Sequence, residues 1–85
     1  MKMIWHEIAW ADYLYWQDQD SKTHNKINRL LKDIDRNGYK CTGKPEPLSG
    51  DLVGFWSVRI DNKNRIVFRI IDNSIEIARC RSHYQ

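Results

Sequence analysis

No stretch of the chain approaches the ~18 consecutive apolar residues of a membrane span, and no charged-then-apolar leader opens it. Neither a transmembrane helix nor a signal peptide is therefore expected. Cysteine is scarce: Cys41 and Cys80 have neither metal-site nor redox spacing, so free thiols in a reducing compartment are expected, and a cytoplasmic location with them. His6, His24 and His83 lack metal-ligand spacing, and His24 reads as a surface helix residue, so the expected metal and cofactor set is empty. Internal repeats and low-complexity tracts are absent, leaving one domain over residues 1–85.

What the chain does have is aromatic residues and an uneven charge distribution. Four Trp, four Tyr and two Phe give an aromatic share of 12%, which favours a folded chain over a disordered one. The net charge is +3. Residues 1–37 hold six basic and six acidic side chains, so the whole excess lies in residues 38–85, with eight basic against five acidic. That half of the molecule is the one suited to a polyanionic partner.

MKMIWH reads as a short buried strand over residues 1–6. EIAWADYLYWQDQ has helical composition, with Ile8, Ala11, Leu14 and Tyr15 at helical spacing as the expected core face and Glu7 in the first turn, where negative charge suits the helix dipole. Asp20 or Ser21 caps a second helix, in which Ile27, Leu30, Leu31 and Ile34 follow the i, i+3, i+4, i+7 rule. Asn37-Gly38 ends it. The two helices are expected to form a hairpin on one face of a sheet, with their aromatic residues serving packing.

Residues 39–51 read as a loop without period. Within it, Pro45 and Pro47 flank Glu46, and each proline fixes its own φ and drives the residue before it toward extended geometry. LVGFWSVRID then alternates, with Leu52, Trp56, Val58 and Ile60 on one face and Phe55, Ser57 and Arg59 on the other. RIVFRIID places Ile66, Phe68 and Ile70 opposite Arg65, Val67 and Arg69. If Ile60 and Ile66 share the buried face, paired residue numbers sum to an even value and the turn holds about three or five residues. Asp61-Asn62-Lys63-Asn64 supplies suitable turn chemistry. Arg59, Arg65 and Arg69 then lie together on the face away from the helices. A turn at Asp72-Asn73-Ser74 leads into SIEIARCR, with Ile75 and Ile77 inward.

The reactive groups this collects are Glu46, Arg59, Arg65, His83 and Tyr84. By default Glu and Arg are solvated surface charge, and a terminal His-Tyr pair is an idle tail. The other reading is RNA cleavage by the substrate's own 2′-hydroxyl. That reaction needs a base for the hydroxyl proton, a cation for the pentacoordinate phosphate and an acid for the leaving 5′ oxygen. Glutamate, arginine and histidine supply these, and an aromatic ring can stack on an unpaired base.

With these residues in hand, the chain resembles the YoeB toxins, a branch of the RelE superfamily of bacterial toxin–antitoxin systems. The resemblance runs through MKMIWHEIAWADYLYWQ, GKPEPL, GFWSVRI, the Arg65 strand and CRSHY, essentially the whole length. It implies an α+β fold, a small antiparallel sheet packed on an N-terminal two-helix hairpin in the order β-α-α-β-β-β. It implies a metal-independent endoribonuclease that cleaves mRNA in the A site of the 70S ribosome, silenced by a YefM-like antitoxin, with a homodimer left open. By similarity Glu46 matches the general base, Arg65 the phosphate-stabilising arginine, His83 the general acid, Tyr84 the aromatic after it and Arg59 a supporting cation. The chain departs from the family in Gln85, which follows the tyrosine at which such chains tend to end, and in a less basic Ser49-Gly50-Asp51. A different class of function, a non-catalytic module binding RNA or an antitoxin through the same basic face, is separated from the enzyme by Glu46→Ala, which removes cleavage and leaves binding.

Overall fold

The computed structural model describes residues 1–81. Strand β1 (Lys2–Trp5) leads into helix α1 (Glu7–Gln19), which is followed at once by helix α2 (Ser21–Asn37). Asp20 serves both helices. Its N–H donates to the Trp16 carbonyl and closes α1, while its carboxylate accepts from the Thr23 N–H and hydroxyl and opens α2. α2 stops at Gly38, whose φ of +60° is one that a β-carbon would strain.

Four more strands follow: β2 (Glu46–Pro47), β3 (Trp56–Arg59), β4 (Arg65–Ile71) and β5 (Ser74–Arg79). The sheet runs in the order β1-β5-β4-β3-β2. One face is packed on the helices. Val58, Ile60, Ile66, Phe68, Ile75 and Ile77 meet Ala9, Trp16 and the expected α2 stripe of Ile27, Leu30, Leu31 and Ile34. Phe68 is fully buried at the centre, so truncating it to alanine is expected to cost about 3–5 kcal/mol. The expected parity of the β3–β4 hairpin holds: Val58 pairs with Ile66 and Arg59 with Arg65. Asp61 builds the turn, its Oδ1 accepting from the backbone N–H groups of Lys63 and Asn64.

Several expectations need correction. The sheet is mixed, because β1 pairs parallel with β5, although every other pair is antiparallel. β2, β3, β4 and β5 each run opposite to the strand before, so β2 enters antiparallel to β1 and β5 ends parallel to it. Strand β2 lies inside the segment expected to be loop. β1 is a largely exposed edge strand rather than a buried one, with Met3 and Ile4 40% and 48% accessible; only Trp5 reaches the core, against Tyr13.

The core face of α1 is also not the expected one. Ile8, Leu14 and Tyr15 are exposed, as is Ala11, and the buried residues are Ala9, Asp12 and Trp16. These grip the end of β5. Trp16 Nε1–H donates to the Cys80 carbonyl at 2.8 Å, and the Cys80 N–H donates to Asp12 Oδ2 at 3.2 Å. Burial, reinforced by Asp12, pushes the Cys80 thiol up to about 12. Cys41 is the other buried free cysteine. Among the described residues no helix is long and apolar enough to cross a membrane.

Candidate active site on the open face of the sheet

The site begins with a conflict in the backbone. Gly43 has φ +88°, and Lys44 holds φ +55° without being glycine. This left-handed pair turns the chain so that residues 46–47 fall alongside β3. The segment is pinned at both ends: the Arg59 N–H donates to the Gly43 carbonyl at 2.8 Å, and the Leu48 N–H donates to the Phe55 carbonyl at 2.9 Å. Between these bonds Glu46 pairs with Ser57 and Pro47 with Trp56. An edge strand is where proline can sit, since it cannot donate to a ladder on both sides.

Glu46 therefore stands on the open face beside Arg59 and Arg65. Arg65 Nη1 lies 3.9 Å from Glu46 Oε1. That is an ion-pair distance but too long for a hydrogen bond, so both groups keep their hydrogen-bonding capacity for something else. Glu46 is 62% exposed, which makes the pair worth little to stability. Lys44, Pro45, Glu46, Arg59 and Arg65 line a groove of about 390 Å³. Arg59 and Arg65 are direct cross-strand partners, an arrangement of like charges that costs stability. Three cations around one carboxylate suit an anion with several oxygens.

Arg69 shares the open face, as expected, but it is already neutralised. Its Nε–H donates to Glu76 Oε1 at 2.7 Å, and its guanidinium lies 4.8 Å from the centre of the Phe55 ring. His6 Nε2–H donates to the other oxygen of Glu76 at 2.6 Å. These hydrogen bonds, His6 first and Arg69 second, hold the Glu76 carboxyl below its usual value.

Of the residues expected at the site, Glu46, Arg59 and Arg65 come together, while His83 and Tyr84 lie outside the described residues. Two cations escaped the sequence reading. Lys44 lines the groove, and its signal was its place inside GKPEPL. Arg79 reaches the open face through an irregularity in β5 that strand alternation does not foresee. Among the described residues no group of His, Cys, Asp and Glu side chains is arranged to hold a metal.

An α+β domain of this topology, with a cation-lined groove on its uncovered sheet face, has the architecture of the RelE-type toxins. A solved YoeB/ParE toxin from Agrobacterium tumefaciens superposes with a TM-score of 0.93 at 41% identity, covering 99% of this chain and 100% of that one. The YoeB–YefM complex from Staphylococcus aureus gives 0.91 at 44% identity, over 99% and 98%. Toxin YoeB of Escherichia coli K12 is 51% identical over 84 residues, 99% of this chain and the whole of that protein. Residues 5–84 match the YoeB-like toxin of bacterial type II toxin–antitoxin systems, and the chain belongs to that family, whose members are ribonucleases.

Proposed function

We propose that the protein is a ribosome-dependent mRNA endoribonuclease that inhibits translation by cutting message in the A site. Glu46 takes the proton of the 2′-hydroxyl, Arg65 stabilises the pentacoordinate phosphate with support from Arg59, His83 protonates the leaving 5′ oxygen, and Tyr84 stacks on a base. The observation that carries this reading is the Glu46–Arg65 pair, 3.9 Å apart in an open groove with Arg59 beside it. A base and a cation at that separation can address a hydroxyl and the phosphate it attacks without neutralising each other.

The small groove and net charge of +3 argue that the ribosome positions the substrate. Orientation of this kind is worth up to about 7–11 kcal/mol of barrier. One message, offered with and without ribosomes, provides the test. Fast cleavage on ribosomes and little on naked RNA is expected, and equal rates would refute the dependence.

A YefM-like antitoxin is the expected silencing partner, since the S. aureus relative is solved with YefM. Its acidic segment would cover the Glu46–Arg65 groove. A YoeB from S. aureus is also solved as a dimer, which supports a homodimer here. Hydrogen exchange of the complex, with protection at residues 44, 46, 59 and 65, checks the antitoxin's footprint.

A further inference from the structure

We propose that Arg79 binds an RNA phosphate, the one immediately 3′ of the scissile phosphate. This rests on the ribonuclease reading above and adds a substrate contact to it.

Strict alternation would send Arg79 inward with Ile75 and Ile77, into the core. The β4–β5 ladder prevents this. Phe68 pairs with Ile77 but Val67 pairs with Arg79, so Ala78 is an extra residue, a β-bulge. The bulge exchanges the faces beyond it. Cys80 joins the core cluster, and Arg79 stands half-buried on the face away from the helices, in one cross-strand row with the buried Val67 and Ser57 and the exposed Glu46.

The guanidinium arrives there without a counter-charge. No carboxylate lies within ion-pair distance of Arg79 among the described residues, and its Nη1–H reaches only the carbonyl of Ala78, at 3.3 Å. Its Nε is buried and has no hydrogen-bond partner among the described residues. A half-buried cation with an unused donor is costly unless an anion completes it. Arg69, its neighbour on the same face, is already completed by Glu76. Among the described residues, that face therefore holds one spare guanidinium beyond the groove.

Position identifies the phosphate. Arg79 sits opposite Val67, two residues along β4 from Arg65, which puts the two Cα atoms about 8 Å apart. Two arginine side chains at that separation can hold successive phosphates of one strand. Glu46 and Arg79 flank the Arg65 strand from opposite sides, β3 intervening only on the Glu46 side. The base acts on the nucleotide that carries the 2′-hydroxyl, so the far side belongs to the leaving group and the phosphate 3′ of it. Arginine suits the task because its planar fork grips two phosphate oxygens.

The test uses ribosome-bound message in which the phosphate 3′ of the cleavage site is either native or a neutral methylphosphonate. On native message, Arg79→Gln is expected to lower kcat/KM about 10- to 100-fold, the value of a hydrogen bond to a charged group, with Arg79→Lys recovering part. On the methylphosphonate message the wild type should fall to the variant's rate, and Arg79→Gln should cost nothing more. The thermal midpoint of Arg79→Gln should stay level or rise, because no counter-charge is lost and only the long bond to the Ala78 carbonyl goes. Equal rates on native message, or the same loss on both messages, would overturn the proposal. So would a loss confined to antitoxin affinity, which would assign the guanidinium to a carboxylate of that partner. A wild type inert on native message removes the ribonuclease reading itself, whereas an active wild type indifferent to Arg79→Gln removes only this contact.

Discussion

Replacing Gly43 with alanine tests whether the strained loop is what aims Glu46. A β-carbon at Gly43 would come to 3.1 Å from Val58 Cβ and 3.3 Å from Leu30 Cδ2, both core side chains, on a backbone whose φ is +88°. The left-handed conformation costs an alanine about 1–2 kcal/mol, and crowding a packed core adds about 1 more. Together these remove roughly 2–3 kcal/mol, a large part of a small domain's stability. For a domain this size the thermal midpoint should drop by roughly 10–20 °C. Gly54→Ala is the control: its φ is +95°, but nothing lies within 4 Å of the added carbon, so only the backbone cost of about 1–2 kcal/mol should appear. Urea unfolding of both variants measures the difference. Relief of the clash must move either the core or the loop, and the loop is held by the Gly43 carbonyl, the short pairing beyond it and the Leu48 N–H. A shift near 1 Å at Glu46 should slow ribosomal cleavage about 100-fold at temperatures where the variant is still folded. A Gly43→Ala protein as stable as Gly54→Ala and fully active would refute the reasoning.

Arg65→Ala should lower single-turnover cleavage about 10²- to 10³-fold, as removal of an oxyanion donor does, with Arg65→Lys recovering only part because an ammonium lacks the planar fork. His83→Gln should be rescued by a 5′-thio leaving group, which needs no proton, whereas Glu46→Ala should not; the opposite pattern on ribosomes would exchange the base and the acid. Glu76 has its carboxyl lowered in the folded protein, so it contributes stability above the usual glutamate value that is lost as pH falls through the lowered one. Glu76→Gln should accordingly flatten the acid limb of a stability–pH curve, and an unchanged limb in acid titrations followed by circular dichroism would show that the His6 and Arg69 bonds contribute nothing.

Local chemistry that acts within a few residues was legible in the sequence. The α2 stripe and its Gly38 stop need only helical geometry and stand where the spacing puts them, and of the two caps the sequence offered, Asp20 and Ser21, the structure uses Asp20. The β3–β4 hairpin was legible for the same reason, since parity alone fixes which residues face each other. α1 was not. Apolar side chains occur all round it, so apolar spacing alone does not choose a face. The chosen face includes Asp12, a polar residue that can be buried because it accepts the Cys80 N–H from a strand far along the chain. Nothing local to α1 announces that bond, and a search for apolar stripes passes over it.

The site divides along the same line. Glu46 stood out because two prolines are a local constraint, and Arg59 and Arg65 because hairpin parity is local too. What parity cannot contain is an exception to itself. The bulge at Ala78 inserts one residue into β5 and thereby changes the face of everything after it. It explains why Arg79 is outside and Cys80 inside. The two devices act in sequence: the bulge turns Cys80 toward α1, and Asp12 and Trp16 then take both its N–H and its carbonyl. The exit of β5 is thus fixed by a contact with the first helix, three residues before His83 in the chain. Loosening it by Trp16→Phe, which keeps the apolar bulk and removes only the indole N–H, should change the proton-donation step more than substrate binding, seen as a fall in kcat at nearly constant KM. A change in KM alone would mean that the grip on Cys80 affects substrate binding and has no part in aiming the acid.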